Sequence, residues 1–143
     1  MNNEPAEEVF RRSLEHGSRL SKALTDIQGF VGYGEPSRPC ARGVGEILGW
    51  FHFEVLEPIE SRFPALAGQA VADTDWSPAF PQAENRERAF ETFDQVVSES
   101  ELIALDAANC LSLGADSVDR VRAEVADCRA AARALRDTAA DIA

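Results

Sequence analysis

The chain has 143 residues, enough for a single domain over 1–143 with a real core and no dependence on disulfides or a structural metal. Its 45% hydrophobic content excludes wholesale disorder, and a net charge of -11, with Lys22 the lone lysine beside the arginines, disfavours a phosphate-tracking nucleic-acid binder. Val44 to Leu56 is the longest apolar stretch, but Glu46, His52 and Glu54 interrupt it and it is too short to span a bilayer. Met1 to Glu8 carries glutamates and no basic residue, the opposite of a targeting peptide, so a cytoplasmic protein is expected, with neither nucleic acid nor membrane as partner.

A first helix is expected to start near Asn3, a capping residue type, with Glu4, Pro5, Glu7 and Glu8 in its first turn, where carboxylates suit the positive end of the helix dipole. Its apolar stripe reads Phe10, Leu14, Gly17, Leu20 or Ser21, Leu24, Ile27 and Val31. Gly29 to Pro39, with Gly32, Gly34 and Pro36 between, cannot continue a helix. A second helix follows from about Ala41 to Phe63, with a kink or break forced by Pro58, whose ring removes one hydrogen bond and crowds the preceding turn.

Pro64 to Gln82 reads as a long loop that folds back over the helices through Trp76 and Phe80. Helix 3 spans about Ala83 to Leu113, with Phe90, Phe93, Val97, Ala104 and Leu111 on one face. From Leu102 to Leu111 it is apolar nearly all round, which predicts deep burial or cover by a second chain. A short turn over 112–117 follows, with Gly114 closing helix 3 and Asp116 or Ser117 capping helix 4. Helix 4 carries an unbroken 3-4 spacing of Val118, Val121, Val125, Cys128, Ala132, Leu135, Ala139 and Ile142, the seam of a helix packed along its whole length. These elements predict an all-α fold, an up-down-up-down antiparallel four-helix bundle with a long loop between helices 2 and 3.

Function is less legible. Projected as a helix, Ile47, Leu48, Phe51, Val55, Leu56 and Ile59 point into the bundle, whereas Trp50 and Phe53 point elsewhere, between Glu46 and Glu57. Two large aromatics on that side call for cover: the Trp76/Phe80 loop, a second subunit or a ligand. The expectation is a non-catalytic binding protein, a homodimer or an accessory subunit of a protein partner. Trp50 and Phe53 are its anchors, Trp76 and Phe80 its neighbours, and Glu46, Glu54 and Glu57 its polar rim.

The alternative is a bundle that binds a small ligand, metal or haem between helices 1 and 2. His16 and His52 lie at similar distances from the turn that joins these helices, and so would converge at one height. A di-iron carboxylate centre is disfavoured, because it needs Glu-x-x-His and Ser13 and Gly49 stand where the glutamates belong. Cys40, Cys110 and Cys128 show no CxxC spacing, and the last two are expected as buried free thiols. Arg11 and His16 match the Arg-x4-His spacing of helical nucleases of the HEPN class, a spacing that an arginine-rich chain also produces by chance. No nucleophile, poised acid/base pair, metal set or cofactor motif is recognisable, so no cofactor is expected and binding is expected ahead of catalysis.

Overall fold

Helix α1 (Glu4–Val31) begins with Glu4 and Glu7 in its first turn and ends where Gly32 takes a φ of 98° and donates to the Gln28 carbonyl at 2.8 Å. The computed structural model describes residues 4–76 and 83–138. After a single 3-10 turn (Glu35–Ser37), α2 (Arg38–Phe51) starts with Pro39 in its first turn, where a missing N–H costs nothing. It continues through a π turn (His52–Leu56) into α3 (Glu57–Arg62). Where a kink or a break is expected at Pro58, the Glu57 N–H reaches back five residues to the His52 carbonyl and the helix widens into a π turn.

Three long elements complete the chain: α4 (Pro64–Asp73), α5 (Arg86–Leu111) and α6 (Ala115–Thr138). Asn85 caps α5 by accepting from the Arg88 N–H at 2.8 Å. At the far end Ser112, not Gly114, takes the left-handed conformation (φ 57°), and the Leu113 N–H closes the helix on the Ala108 carbonyl. The Gly114 carbonyl accepts the first bond of α6, so that helix starts ahead of the expected caps Asp116 and Ser117.

No strand occurs among the described residues, and none of their helices is long and apolar enough to cross a membrane. The all-α expectation holds, but the alternating helix order does not. Of the expected loop over 64–82, residues 64–73 are helical and 77–82 lie outside the described residues. Arg12 meets Asp106, Arg19 meets Glu99, and Asp26 accepts from the Ala83 N–H, so α1 and α5 are antiparallel neighbours. Because α1 and α2 are also antiparallel, with Leu48 beside Gly17 and Phe51 against His16, α2 and α5 run in the same direction.

Residue 75 bonds Glu15 in the first half of α1, and residue 83, just ahead of α5, bonds Asp26 near its end. Helix α6 returns antiparallel to both α5, through Arg129 and Asp94, and α2, through Arg120 and Glu54. The core lies between these helices. Its α6 contribution is Val121, Val125, Cys128, Ala132 and Leu135, as the heptad line predicts, with Val118 half-buried and Ala139 and Ile142 outside the described residues. Cys128 is buried and free as expected; Cys110 is exposed, a correction, because it sits on the outer side of the last turn of α5.

Candidate functional site

The residues expected to form one surface on helix 2 are separated by the structure. Trp50 is only 3% exposed: its indole N–H donates to the Ser117 carbonyl at 2.9 Å, and its ring meets Phe51 edge-on at 5.2 Å. It is a core residue closed over by the start of α6, which corrects its assignment as a surface anchor. The reason is that α2 packs against both α1 and α6, so it buries a wider arc than one stripe; Trp50 serves the α6 side and Phe51 the α1 side.

Phe53 does stand outside, 66% exposed, with the His52 ring edge-on at 4.9 Å and His52 Nε2 3.8 Å from Glu57. Glu46 and Glu57 are exposed, and Glu54 is ion-paired to Arg120 of α6. Trp76, beyond the end of α4, is itself largely exposed; Phe80 lies outside the described residues.

The two histidines do not converge. His52 faces solvent from the π turn, whereas His16 is buried between α1 and α5 and rests on Phe51 with ring centroids 5.9 Å apart. Among the described residues no group of three His, Cys, Asp or Glu side chains is placed to hold a metal ion. Arg11 is engaged with Glu8 and Glu15 on the outer side of α1, so the Arg-x4-His spacing does not form a site with His16.

His16 is nevertheless the centre of the most informative site. Its Nε2 lies 2.6 Å from the Ser100 hydroxyl, and that hydroxyl lies 3.3 Å from the Val96 carbonyl, the usual acceptor for a serine inside a helix. Ser100 has a single hydroxyl proton, and which of these two contacts receives it sets the His16 tautomer. Nδ1 is buried and has no hydrogen-bond partner; one turn earlier, the buried Ser13 Oγ has none either. A buried polar atom left in this condition costs about 1–3 kcal/mol.

The ring also lines a groove of about 310 Å³ between α1 and α5, together with Arg12, Glu15, Arg19, Glu99, Leu102 and Ile103. Two ion pairs flank it, Arg19–Glu99 at 2.7 Å and Arg12–Asp106 at 3.2 Å. Glu15 is held by Arg11 and accepts the Asp75 backbone N–H at 3.1 Å. Burial, reinforced by Arg19 and Arg12 and opposed by Glu99, pushes the His16 pKa down to about 4, so the imidazole is neutral at physiological pH. Leu102, expected to be deeply buried or covered by a second chain, is 64% exposed at the edge of this groove.

A neutral imidazole with a bare nitrogen calls for one more hydrogen-bond partner. It does not make a nucleophile of Ser100, which is buried behind the ring and does not line the groove. Arg12 and Arg19 offer donors to an anionic group, Glu15 and Glu99 offer acceptors to a cationic one, and Leu102 and Ile103 form an apolar wall. No protein-family model, curated protein or solved structure matches this chain.

Proposed function

We propose that this is a non-catalytic binding protein that takes a small polar ligand in the groove between α1 and α5. The observation that carries the reading is His16 Nδ1, a buried nitrogen without a partner on a residue that lines a groove. A leucine at the same helical position would fill the space with no unsatisfied group. A ligand that bonds Nδ1 offsets that cost in the bound state alone, which makes the histidine a recognition element.

The test is native mass spectrometry of the freshly purified protein against its denatured mass, with His16→Leu as comparison. The wild type should carry added mass, and the variant should be bare while keeping its helical circular dichroism. Added mass that survives in the variant overturns the reading. So does a bare wild type that shows no thermal shift across a panel of small acids, amines and amino acids.

A second reading rests on Phe53, whose exposure leaves the expected helix-2 interface one of its two anchors. There the protein works as a homodimer or accessory subunit, with His52 and Phe53 at the centre and Glu57 beside them. Sedimentation of wild type and Phe53→Asp decides it: a dimer that becomes a monomer supports this reading, and an unchanged state removes it for self-association.

A further inference from the structure

We propose that the α1–α5 groove takes a small zwitterion, an α-amino acid with an apolar side chain, one of its two charged ends bonding Nδ1 of His16. This rests on the groove reading above and names its ligand. The charge of the lining is the first reason. Arg12, Glu15 and Arg19 of α1 and Glu99 of α5 supply two cations and two anions at neutral pH, a net charge of zero. An anion alone would meet Glu15 and Glu99, and a cation alone would meet Arg12 and Arg19; only a molecule that carries both signs finds a complement for each.

The second reason is His16 itself. Nδ1 has no partner in the protein, and a zwitterion brings both a donor and an acceptor, one for each tautomer of the ring. An ammonium has three N–H groups to share among the carboxylates of Glu15 and Glu99 and the ring. A ligand carboxylate falls to the guanidinium groups. Arg19 and Arg12 each hold one acidic partner, and each has five N–H donors, so neither ion pair need break.

The third reason is the wall. Leu102 is 64% exposed at the rim and Ile103 lies beside it, an apolar strip that a ligand side chain would cover. A polyol would satisfy Nδ1 but leave this strip wet and both charge pairs unused. The space, about 310 Å³, sits at the lower end of the range for small-molecule sites and suits a single amino acid.

The experiment is isothermal titration of the full chain with L-leucine, N-acetyl-L-leucine and L-leucinamide. Leucine should bind, and each derivative, having lost one charge, should bind about tenfold more weakly or worse. Leu102→Ser, altered at an exposed position and so neutral to folding, should weaken leucine, and His16→Leu should abolish its binding. In the wild type, leucine should also move the imidazole 15N resonance of Nδ1 toward that of a hydrogen-bonded nitrogen.

Leucine that binds no better than its two derivatives overturns the zwitterion proposal. If the derivatives then bind and His16→Leu abolishes that binding, the groove reading stands without it. If none of the three binds and the native mass is bare, both fall.

Discussion

Gly43 of α2 lies directly against Cys128 of α6: a methyl group at position 43 would stand 2.9 Å from both Cβ and Sγ of Cys128 and 3.1 Å from its Cα. The contact reaches the α6 backbone, so rotating the thiol does not relieve it. Gly43→Ala should therefore destabilise the protein by about 1–3 kcal/mol in denaturant unfolding, despite the better helix propensity of alanine. Gly45, two residues on, is exposed, and a Cβ there meets nothing within 4 Å. Gly45→Ala should stabilise by up to about 1 kcal/mol. Equal effects at the two positions would mean that the α2–α6 approach is looser than described.

Trp50 separates a core role from an interface role. Trp50→Ala should cost about 3–5 kcal/mol, because it empties a buried site and strips the Ser117 carbonyl of its indole partner. Trp50→Phe keeps most of the ring and loses the N–H, and should cost about 1–2 kcal/mol. Thermal melts at two protein concentrations check the assignment. A core residue gives the same loss at both, whereas an interface residue gives a loss that depends on concentration.

The sequence pattern carried the helices further than the site. Val121, Val125, Cys128, Ala132 and Leu135 are buried as their spacing requires, because one apolar residue per turn leaves a helix no other face to bury. The direction of α5 was not legible, since it depends on contacts far apart in the sequence, of Glu15 with residue 75 and of Asp26 with residue 83. The site was missed for a related reason. The buried line of α1 runs Ala6, Phe10, Ser13, His16, Leu20, Ala23, Ile27, Val31, through two polar residues that a hydrophobic projection steps around to Leu14 and Gly17. The buried line of α5 likewise passes through Ser100, between Val97 and Ala104. Polar residues set into two apolar stripes are the signal of a buried polar contact, and it becomes readable once α1 and α5 are known to be antiparallel neighbours.

The three thiols should differ in reactivity by location. Cys40 and Cys128 are buried, and burial raises their pKa values to about 11 and about 12, with Cys40 and Glu46 adding to the effect at Cys128. Both stay protonated at neutral pH and shielded from reagent, while Cys110 is exposed. Iodoacetamide on the native protein should add one carbamidomethyl group, at Cys110, and three in denaturant. Two or more additions under native conditions would show that the α2–α6 packing opens.

Acid should weaken the fold through His16. Its pKa is about 4 in the folded protein, against 6.5 for an unperturbed imidazole, so between these values the unfolded chain binds a proton that the native ring does not. Stability is then full above about pH 6.5, falls as the pH drops toward 4, and levels off once both states are protonated. A shift of that size corresponds to about 3 kcal/mol across the window, with a steepest slope of about 1.4 kcal/mol per pH unit. The groups facing the ring set the balance: Arg19 and Arg12 oppose its protonation and Glu99 favours it, so Glu99→Gln should depress the pKa further and Arg19→Gln should raise it. Unfolding free energies from pH 7.5 to 4.5 for wild type and His16→Leu check the sign. The variant should gain on the wild type as the pH falls, because leucine removes the linked proton. A constant difference across the window would mean that His16 titrates alike in both states, and that its ring is not desolvated.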